Sequence, residues 1–401
     1  MKKLLITITV VLLSLSIYSQ SLDEIGFYSI NGIEAIDYVD NCMVLGNGHI
    51  VDISDPTNPS LKSNFSVYGD GVSVNVVDDY AYFGTGMGNS LYIADISNTA
   101  FPLGMGVINF TVGNGIFGTD AVDNTLMVSL ANYHPTNLGL ICSIDIADKS
   151  NPIVLDTIFF EGGRCTDVAV ISNYAYAAAG GGLKVIDISN PADLQVIKSI
   201  GSGYNSIDKG DDKLIVGKSG GGIDVFDISE LTNPIPAYSI PNGTGSAWEV
   251  RYQSGNIYLS TNYGVFIYKM EANSAYETAH FSSYGQAFGV CPHDSLVFLP
   301  GLVLGVSILH YDESGTVGIN YSTVNNQLNI FPNPAKNSLT ITNNGLNIDE
   351  YIIYDMNGQM VERNKFIDEN TINISNFISG QYFIKIYTKQ GIITKKFIKI
   401  E

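Results

Sequence analysis

"KVIDISNP", residues 184–191, is a short apolar strand that runs through an aspartate into a proline turn, and the chain uses it repeatedly. "HIVDISDP" stands at 49–56, "YIADISN" at 92–98, "SIDIADKSNP" at 143–152 and "DVFDISELTNP" at 224–234. Centred on the aspartate, the copies fall at Asp52, Asp95, Asp145, Asp187 and Asp227. Two degenerate copies that lack it follow, "VFIYK" around Tyr268 and "VSILHY" around His310. The successive spacings are 43, 50, 42, 40, 41 and 42 residues. A period near 40 with several short strands per unit points to a β-propeller.

Each unit carries a second marker upstream, a polar turn leading into an alternating strand: "VVDDYAYFG" (76–84), "VISNYAYAAAGGG" (170–182) and "YQSGNIYLS" (252–260). One blade therefore reads as a strand, a short turn, a "YAY"-like strand, a glycine turn, the "VxDIS" strand, and a proline turn into a fourth strand. Asp, Ser and Asn in that last turn bond nearby backbone N–H groups, and proline presets the backbone angle. The motif is a turn device repeated once per blade.

Fourth-strand candidates fall near 60–68, 102–110, 152–160, 194–200, 234–240 and 275–282, which is six, whereas the other strands occur seven times. The seventh is "EIGFYSI", beginning at Glu24, ahead of the first blade. An N-terminal strand that completes the last blade pairs both chain ends and removes the open edge of an incomplete ring. The expected fold is all-β: a seven-bladed β-propeller over 20–311 closed by an N-terminal strand, a linker over 312–327, and a small Ig-like β-sandwich over 328–401. "YAYAAAGGGLKVIDISNPADLQVI" (174–197) resembles the LVIVD repeat, a propeller-type repeat of secreted and surface proteins. That resemblance implies architecture and surface placement rather than a chemistry.

The composition agrees with an all-β chain. Of 401 residues 45% are hydrophobic and only 15% charged, with 41 glycines, 24 tyrosines and 18 phenylalanines, a mixture of turn formers and strand formers. The opening "MKKLLITITVVLLSLSIYSQ" has a basic start at Lys2 and Lys3, an apolar run and a small residue at Ser19. It reads as a secretory signal peptide over 1–19. No second run of about 20 apolar residues follows, so no transmembrane helix is expected in the mature chain.

The formal charge is −19. Residues 21–326 hold 10 Lys+Arg against 32 Asp+Glu, while 327–401 hold 8 against 7. So acidic a body repels nucleic acid and anionic lipid, and it permits cations, neutral glycans or basic proteins as partners. The chain is read as a monomer. Cys42, Cys142, Cys165 and Cys291 form no CxxC pair, and their pairing stays open.

Beyond His310 the texture changes to short alternating strands with an Asn-Gly hairpin signal in "MNGQ" (356–359). "FPNPAKNSLTI" (331–341), "YDMNGQMV" (354–361), "SGQYFIKI" (379–386) and "KKFIKI" (395–400) resemble, in order and spacing, the C-terminal sorting domain of the Bacteroidetes type IX secretion system. The matching positions are Pro332, Asn333, Pro334, Asp355, Asn357, Gly358, Gly380 and Tyr382. The resemblance implies the type IX translocon as a partner, export across the outer membrane, and a protein that is secreted or held on the cell surface.

Signals of chemistry are sparse. "GNGIFG" (113–118) satisfies GxGxxG inside a β-repeat, with no helix to hold a pyrophosphate, and "GKS" (217–219) lacks the first glycine of a P-loop. No HExxH or GxSxG occurs, and the five histidines are scattered. "DKGDD" (208–212) is a calcium candidate without the EF-hand pattern, and no other cofactor is implied. Two candidate binding regions remain. A longer turn in the third blade, "SLANYHPTNLGL" (129–140), offers Asn132, Tyr133 and His134 to a sugar. The innermost strands carry Glu34, Arg164, Asp167, Asn205, Trp248 and Glu249, which are expected to converge near the channel. The first functional reading is a non-enzymatic propeller that binds a glycan or protein in adhesion or recognition. The alternatives are a polysaccharide hydrolase or lyase using channel carboxylates such as Asp167 and Glu249, and a structural scaffold in a surface complex.

Overall fold

The computed structural model describes residues 21–86, 88–111, 115–132, 138–241, 245–283, 286–301, 305–313, 328–343, 348–356, 359–365, 371–388 and 391–400. The expected signal peptide and most of the expected linker lie outside the described residues.

Among the described residues, seven four-stranded antiparallel sheets make the ring. Blade four illustrates the unit, with strands Cys165–Ile171, Tyr174–Ala179, Gly182–Asp187 and Gln195–Ile200 running from the channel outward. Its second strand is buried on both faces, because blades stack face to face and both sides of a middle strand meet a neighbour. Its outer strand is largely exposed. The core therefore lies between blades. Met127 and Ile141 of blade three, for example, pack with Val168, Ala175, Ala177 and Ile186 of blade four. Closure is as expected from the strand count. Ser21–Ser29 pairs antiparallel with Gly305–Asp312 and supplies the outermost strand of the seventh blade.

The repeated turn has a physical basis in every blade. The carboxylates of Asp52, Asp95, Asp145, Asp187 and Asp227 each accept the backbone N–H two residues on, at 2.8–2.9 Å. The intervening isoleucines, Ile53, Ile96, Ile146, Ile188 and Ile228, are buried. Their N–H groups donate to the first hairpin turn of the same blade, on Asn41, Asp79, Asn124, Asn173 and Asp212. In blades six and seven the aspartate is lost, yet Met270 and Tyr311 make the same backbone bond to Gly255 and Ser295. The backbone latch is constant, and the aspartate reinforces it.

All four cysteines are free and buried. Burial pushes the Cys142 thiol up to about 11 and raises Cys165 and Cys291, which makes them packing residues rather than nucleophiles. Among the described residues no helix is long and apolar enough to cross a membrane.

The C-terminal segment is a two-sheet sandwich. Three strands (Leu328–Phe331, Ser338–Asn343, Thr371–Asn373) face four (Met360–Lys365, Ile348–Tyr354, Gly380–Thr388, Gly391–Lys399) across a core that includes Leu339, Ile341, Ile353, Ile384 and Phe397. The signature residues have structural work. The Asn333 side chain accepts from Ile398 N–H and donates to Lys396 C=O, each at 3.0 Å, and so ties the "FPNPA" segment to the closing strand. Asp355 accepts Gln359 N–H at 2.9 Å, and Asn357 and Gly358 lie outside the described residues. Tyr382 stacks on Phe397 at 5.4 Å and donates its hydroxyl to Ile378 C=O. Gly380 opens the strand that carries Tyr382. Pro332 and Pro334 follow cis peptide bonds.

The sandwich meets the ring at the closing strand. Lys385 and Glu24 form an ion pair at 3.1 Å with side chains only 3% and 8% exposed, and Ser307 adds a hydroxyl donor to Glu24. A buried pair of this kind adds little net stability, because the cost of desolvating both charges offsets their attraction.

Candidate functional site

The first hairpin of every blade has a left-handed residue at the same turn position: Asp40, Asp78, Asp123, Ser172, Asp211, Ser254 and Asp294, with φ between 48° and 54°. Counting back from that residue aligns the seven innermost strands. Three positions back stand Asp37, Asn75, Asp120, Ala169, Asp208, Arg251 and Cys291. Five back stand Ala35, Ser73, Gly118, Asp167, Ser206, Glu249 and Gly289.

These two tiers lace the blades together. Asp37 accepts Val76 N–H at 2.6 Å, Asp120 accepts Val170 N–H at 2.7 Å, and Asp208 accepts Tyr252 N–H at 2.6 Å. Asp167 accepts Ile207 N–H at 2.9 Å and Glu249 accepts Val290 N–H at 2.8 Å. In each case the partner belongs to the next blade, on its inner strand or, for Val290, in the residue just before it. Between blades two and three, Ser73 donates to Ile116 C=O at 2.9 Å and Asn75 to Thr119 C=O. Six junctions are thus bridged by a side chain on an inner strand, which satisfies backbone groups that would otherwise be stranded in the channel wall. Gly118 and Gly289 make room for this lacing. A Cβ on Gly118 would lie 2.5 Å from the Asp167 carboxylate, and one on Gly289 would lie 3.0 Å from that of Glu249.

Arg251 stands among the carboxylates. It pairs with Glu249, and its charge also acts on Asp37, Asp167 and Asp208. Its side chain is 33% exposed and that of Glu249 17%, so both touch channel water. Even so, burial raises Asp37, Asp208 and Glu249 and pushes Asp167 up to about 7, with Arg251 acting against the shift in each. The carboxylates hold Arg251 further above its ordinary value. Lys209 plays a smaller version of this part, pairing with Asp120 and donating to Val170 C=O at 2.5 Å.

One step nearer the channel mouth, six positions back, stand Glu34, Val72, Phe117, Thr166, Asn205, Trp248 and Phe288. In blades two to six the strand pairing slips at this residue, between Gly71 and Ser73, Ile116 and Gly118, Cys165 and Asp167, Tyr204 and Ser206, and Ala247 and Glu249. It is a β-bulge repeated around the ring, and a bulge re-aims the side chain it carries. All seven side chains line one cavity of about 810 Å3. Trp248 and Phe288 meet there as a tilted ring pair, centroids 4.8 Å apart, and the indole N–H is held by Asn262.

Glu34, Arg164, Asp167, Asn205, Trp248 and Glu249, singled out in the sequence, all line this cavity. Their parts differ. Asp167 and Glu249 are structural: both Asp167 oxygens accept backbone N–H groups, from Val168 and Ile207, and Glu249 is shared between Val290 N–H and Arg251. This occupation weighs against the expected use of these two as an acid and base pair. Asn205 spends its amide on Ala247 C=O at 3.2 Å. Glu34 and Trp248 belong to the mouth, and Arg164 sits at its rim in the connection into blade four.

The enlarged turn of blade three leaves the same end of the ring. Asn132 pairs in register with Leu138 at its base, and Leu138 bridges in parallel to Gly163, next to Arg164. Tyr133 and His134 lie outside the described residues. The calcium candidate at 208–212 is corrected. Asp208 accepts Tyr252 N–H and Asp211 accepts the Tyr252 hydroxyl, while Asp211 and Asp212 form the hairpin turn, so two of the carboxylates are occupied by Tyr252. Among the described residues no group of three or more His, Cys, Asp or Glu is placed to hold a metal ion.

Reading the sequence for the DIS turn missed Asp37, Asp120, Asp208 and Arg251 in the lacing and Phe117 and Phe288 at the mouth. Aligning the copies on the first hairpin turn would have found them.

The comparisons fit this architecture. Residues 46–67, 68–109 and 162–200 match the LVIVD repeat, and residues 329–401 match the family described as Secretion system C-terminal sorting domain. No curated protein matches the chain. Among solved structures, a functionally unknown protein from Desulfotomaculum acetoxidans is similar at 11% identity and TM-score 0.55, over 69% of this chain and 94% of that one. Saccharomyces cerevisiae Sqt1 is similar at 10% identity and TM-score 0.51, over 94% and 99%. The computationally designed Ika8 protein is similar at 12% and 0.50, over 94% and 100%. At such identities the likeness concerns the fold alone. The sorting tail indicates type IX secretion, to the cell surface or beyond it.

Proposed function

We propose that this exported propeller is a binding protein that takes a glycan chain into the mouth of its channel for recognition or adhesion at the cell surface. The observation that carries the reading is the bulge collar. Five consecutive blades use the same backbone irregularity to aim a different side chain into one cavity, while the residues beneath it hold the ring together. About 810 Å3 lies within the roughly 300–1,000 Å3 of small-ligand pockets, and it suits a few sugar rings rather than the face of a folded protein. Trp248 and Phe288 offer apolar ring faces, and Thr166, Glu34 and Arg164 supply polar groups beside them. That combination serves pyranose rings, which have one apolar face and an equatorial rim of hydroxyls.

The test is retention of the purified protein on a panel of polysaccharides, with soluble fragments measured in the same samples. Binding is expected without fragments, and Trp248→Ala is expected to weaken it about tenfold or more with a small effect on melting temperature. Fragments lost on mutating Asp167 or Glu249 would replace this reading with a hydrolase or lyase. Absence of any retention would turn the search to a protein partner.

A further inference from the structure

The cavity has a charge preference that the sugar-binding reading leaves open. Among the described residues, five carboxylates line it against three basic side chains. Below the mouth the charges are already matched: Arg251 is paired with Glu249 and Lys209 with Asp120, while Asp167 and Asp208 hold backbone N–H groups. Glu34 is different. Among the described residues it is the one lining carboxylate with neither a backbone N–H nor a cation on its oxygens, and its charged neighbour is another acid, Asp70, across the junction with blade two. Partial burial and Asp70 both raise its pKa.

The surroundings of Glu34 are what a cation needs. Ring closure sets blade seven beside blade one, and the Glu34 carbonyl lies 2.9 Å from where a Cβ on Gly289 would sit, next to Phe288. Phe288 in turn meets Trp248 of blade six. Three neighbouring blades therefore present a carboxylate and two aromatic rings to one cavity. The negative face of an aromatic ring attracts ammonium and guanidinium groups, and does so most strongly where water is excluded. The acidic body draws such ligands in from a distance.

We propose that the channel mouth selects a ligand bearing a positively charged nitrogen, held between Glu34 and the Trp248–Phe288 ring pair. The inference rests on the cavity being the binding site. Within the glycan reading it specifies an amino sugar with a free amine. A lysine side chain presents the same ammonium, so the experiment separates the two sources.

Three probes are titrated into the full-length protein by calorimetry, at a pH where amine and carboxylate are both charged: a β-1,4-linked glucosamine tetramer, its fully N-acetylated counterpart, and a capped tripeptide with a central lysine. The free-amine tetramer is expected to bind at least about tenfold tighter than the acetylated one, the size of one hydrogen bond to a charged group. Glu34→Gln, which keeps the shape and removes the charge, is expected to abolish that difference by weakening the free-amine tetramer. Equal binding of the two tetramers, or an unchanged preference in Glu34→Gln, overturns the charge inference while the glycan reading stands. Binding of the tripeptide alone keeps the charge inference and overturns the glycan reading. Binding of none overturns both. Should Glu34→Gln lower the melting temperature, Phe288→Leu carries the test, with the same loss of preference expected.

Discussion

Asp187 in the outer turn of blade four and Asp167 on the inner strand of the same blade both accept backbone N–H groups at 2.9 Å or less. Asp187 reaches two residues along its own turn, to Ser189, in water. Asp167 reaches the next blade, to Ile207, in the channel wall. The same bond then has opposite electrostatic consequences. The serine hydroxyl and N–H hold Asp187 below its ordinary value, as they do Asp52, Asp95 and Asp227 in the equivalent turns. Desolvation outweighs the hydrogen bonds at Asp167, Asp37 and Asp208 and raises all three. A carboxylate is an inexpensive latch at the rim and a strained one in the channel, where it is tolerable because Arg251 stands among its fellows.

The largest expected effect comes from removing that cation. Arg251→Met keeps the bulk of the side chain and leaves Glu249, Asp37, Asp167 and Asp208 without their shared counter-charge. A loss of about 3–5 kcal/mol in denaturant unfolding is expected, and a loss under about 1 kcal/mol would show that channel water already screens these groups. The next effect is the pH dependence. Because the folded state raises Asp167 from an ordinary value near 4 to about 7, its contribution to stability is fully present below the ordinary value and is lost as pH rises through about 7. The outer-turn carboxylates work the other way, contributing above their ordinary value and losing it as pH falls. Stability is expected to peak between these limits, in mild acid. Asp167→Asn should flatten the alkaline side of a melting-temperature profile and leave the acid side alone; an unchanged alkaline side assigns the fall to other groups. The smallest effect is Asp187→Ala. Its backbone latch, Ile188 N–H to Asn173 C=O, survives, as it does where blades six and seven lack the aspartate. A loss of about 1 kcal/mol or less is expected in the same unfolding measurement.

Legibility in the sequence followed the range of each interaction. The DIS turn was readable because donor and acceptor are two residues apart, and proline and serine mark it locally. The closing strand was readable from counting, since six fourth strands for seven blades left one to find. Asp167, Asn205, Trp248 and Glu249 were legible as unusual residues on inner strands, and Glu34 and Arg164, read the same way, stand just before theirs. What divides them was not: Asp167 and Glu249 hold partners about forty residues away, on strands whose register no local pattern fixes. Arg251 sits inside an ordinary-looking alternating strand, Ala247–Gln253, and its meaning comes from four carboxylates on three other blades and its own. The ion pair between Lys385 and Glu24 was equally silent, its partners being 361 residues apart.

The number of blades, the strand that closes the ring and the sorting tail could all be read without coordinates, because strand period, turn chemistry and motif order are written in neighbouring residues. The tertiary structure alone decided which inner-strand residues brace the ring and which face a ligand. Side chains alternate along a strand, and a bulge shifts that alternation by one position, so only the paired backbone reveals that Trp248 turns into the mouth while Glu249, the next residue, turns to the adjoining blade.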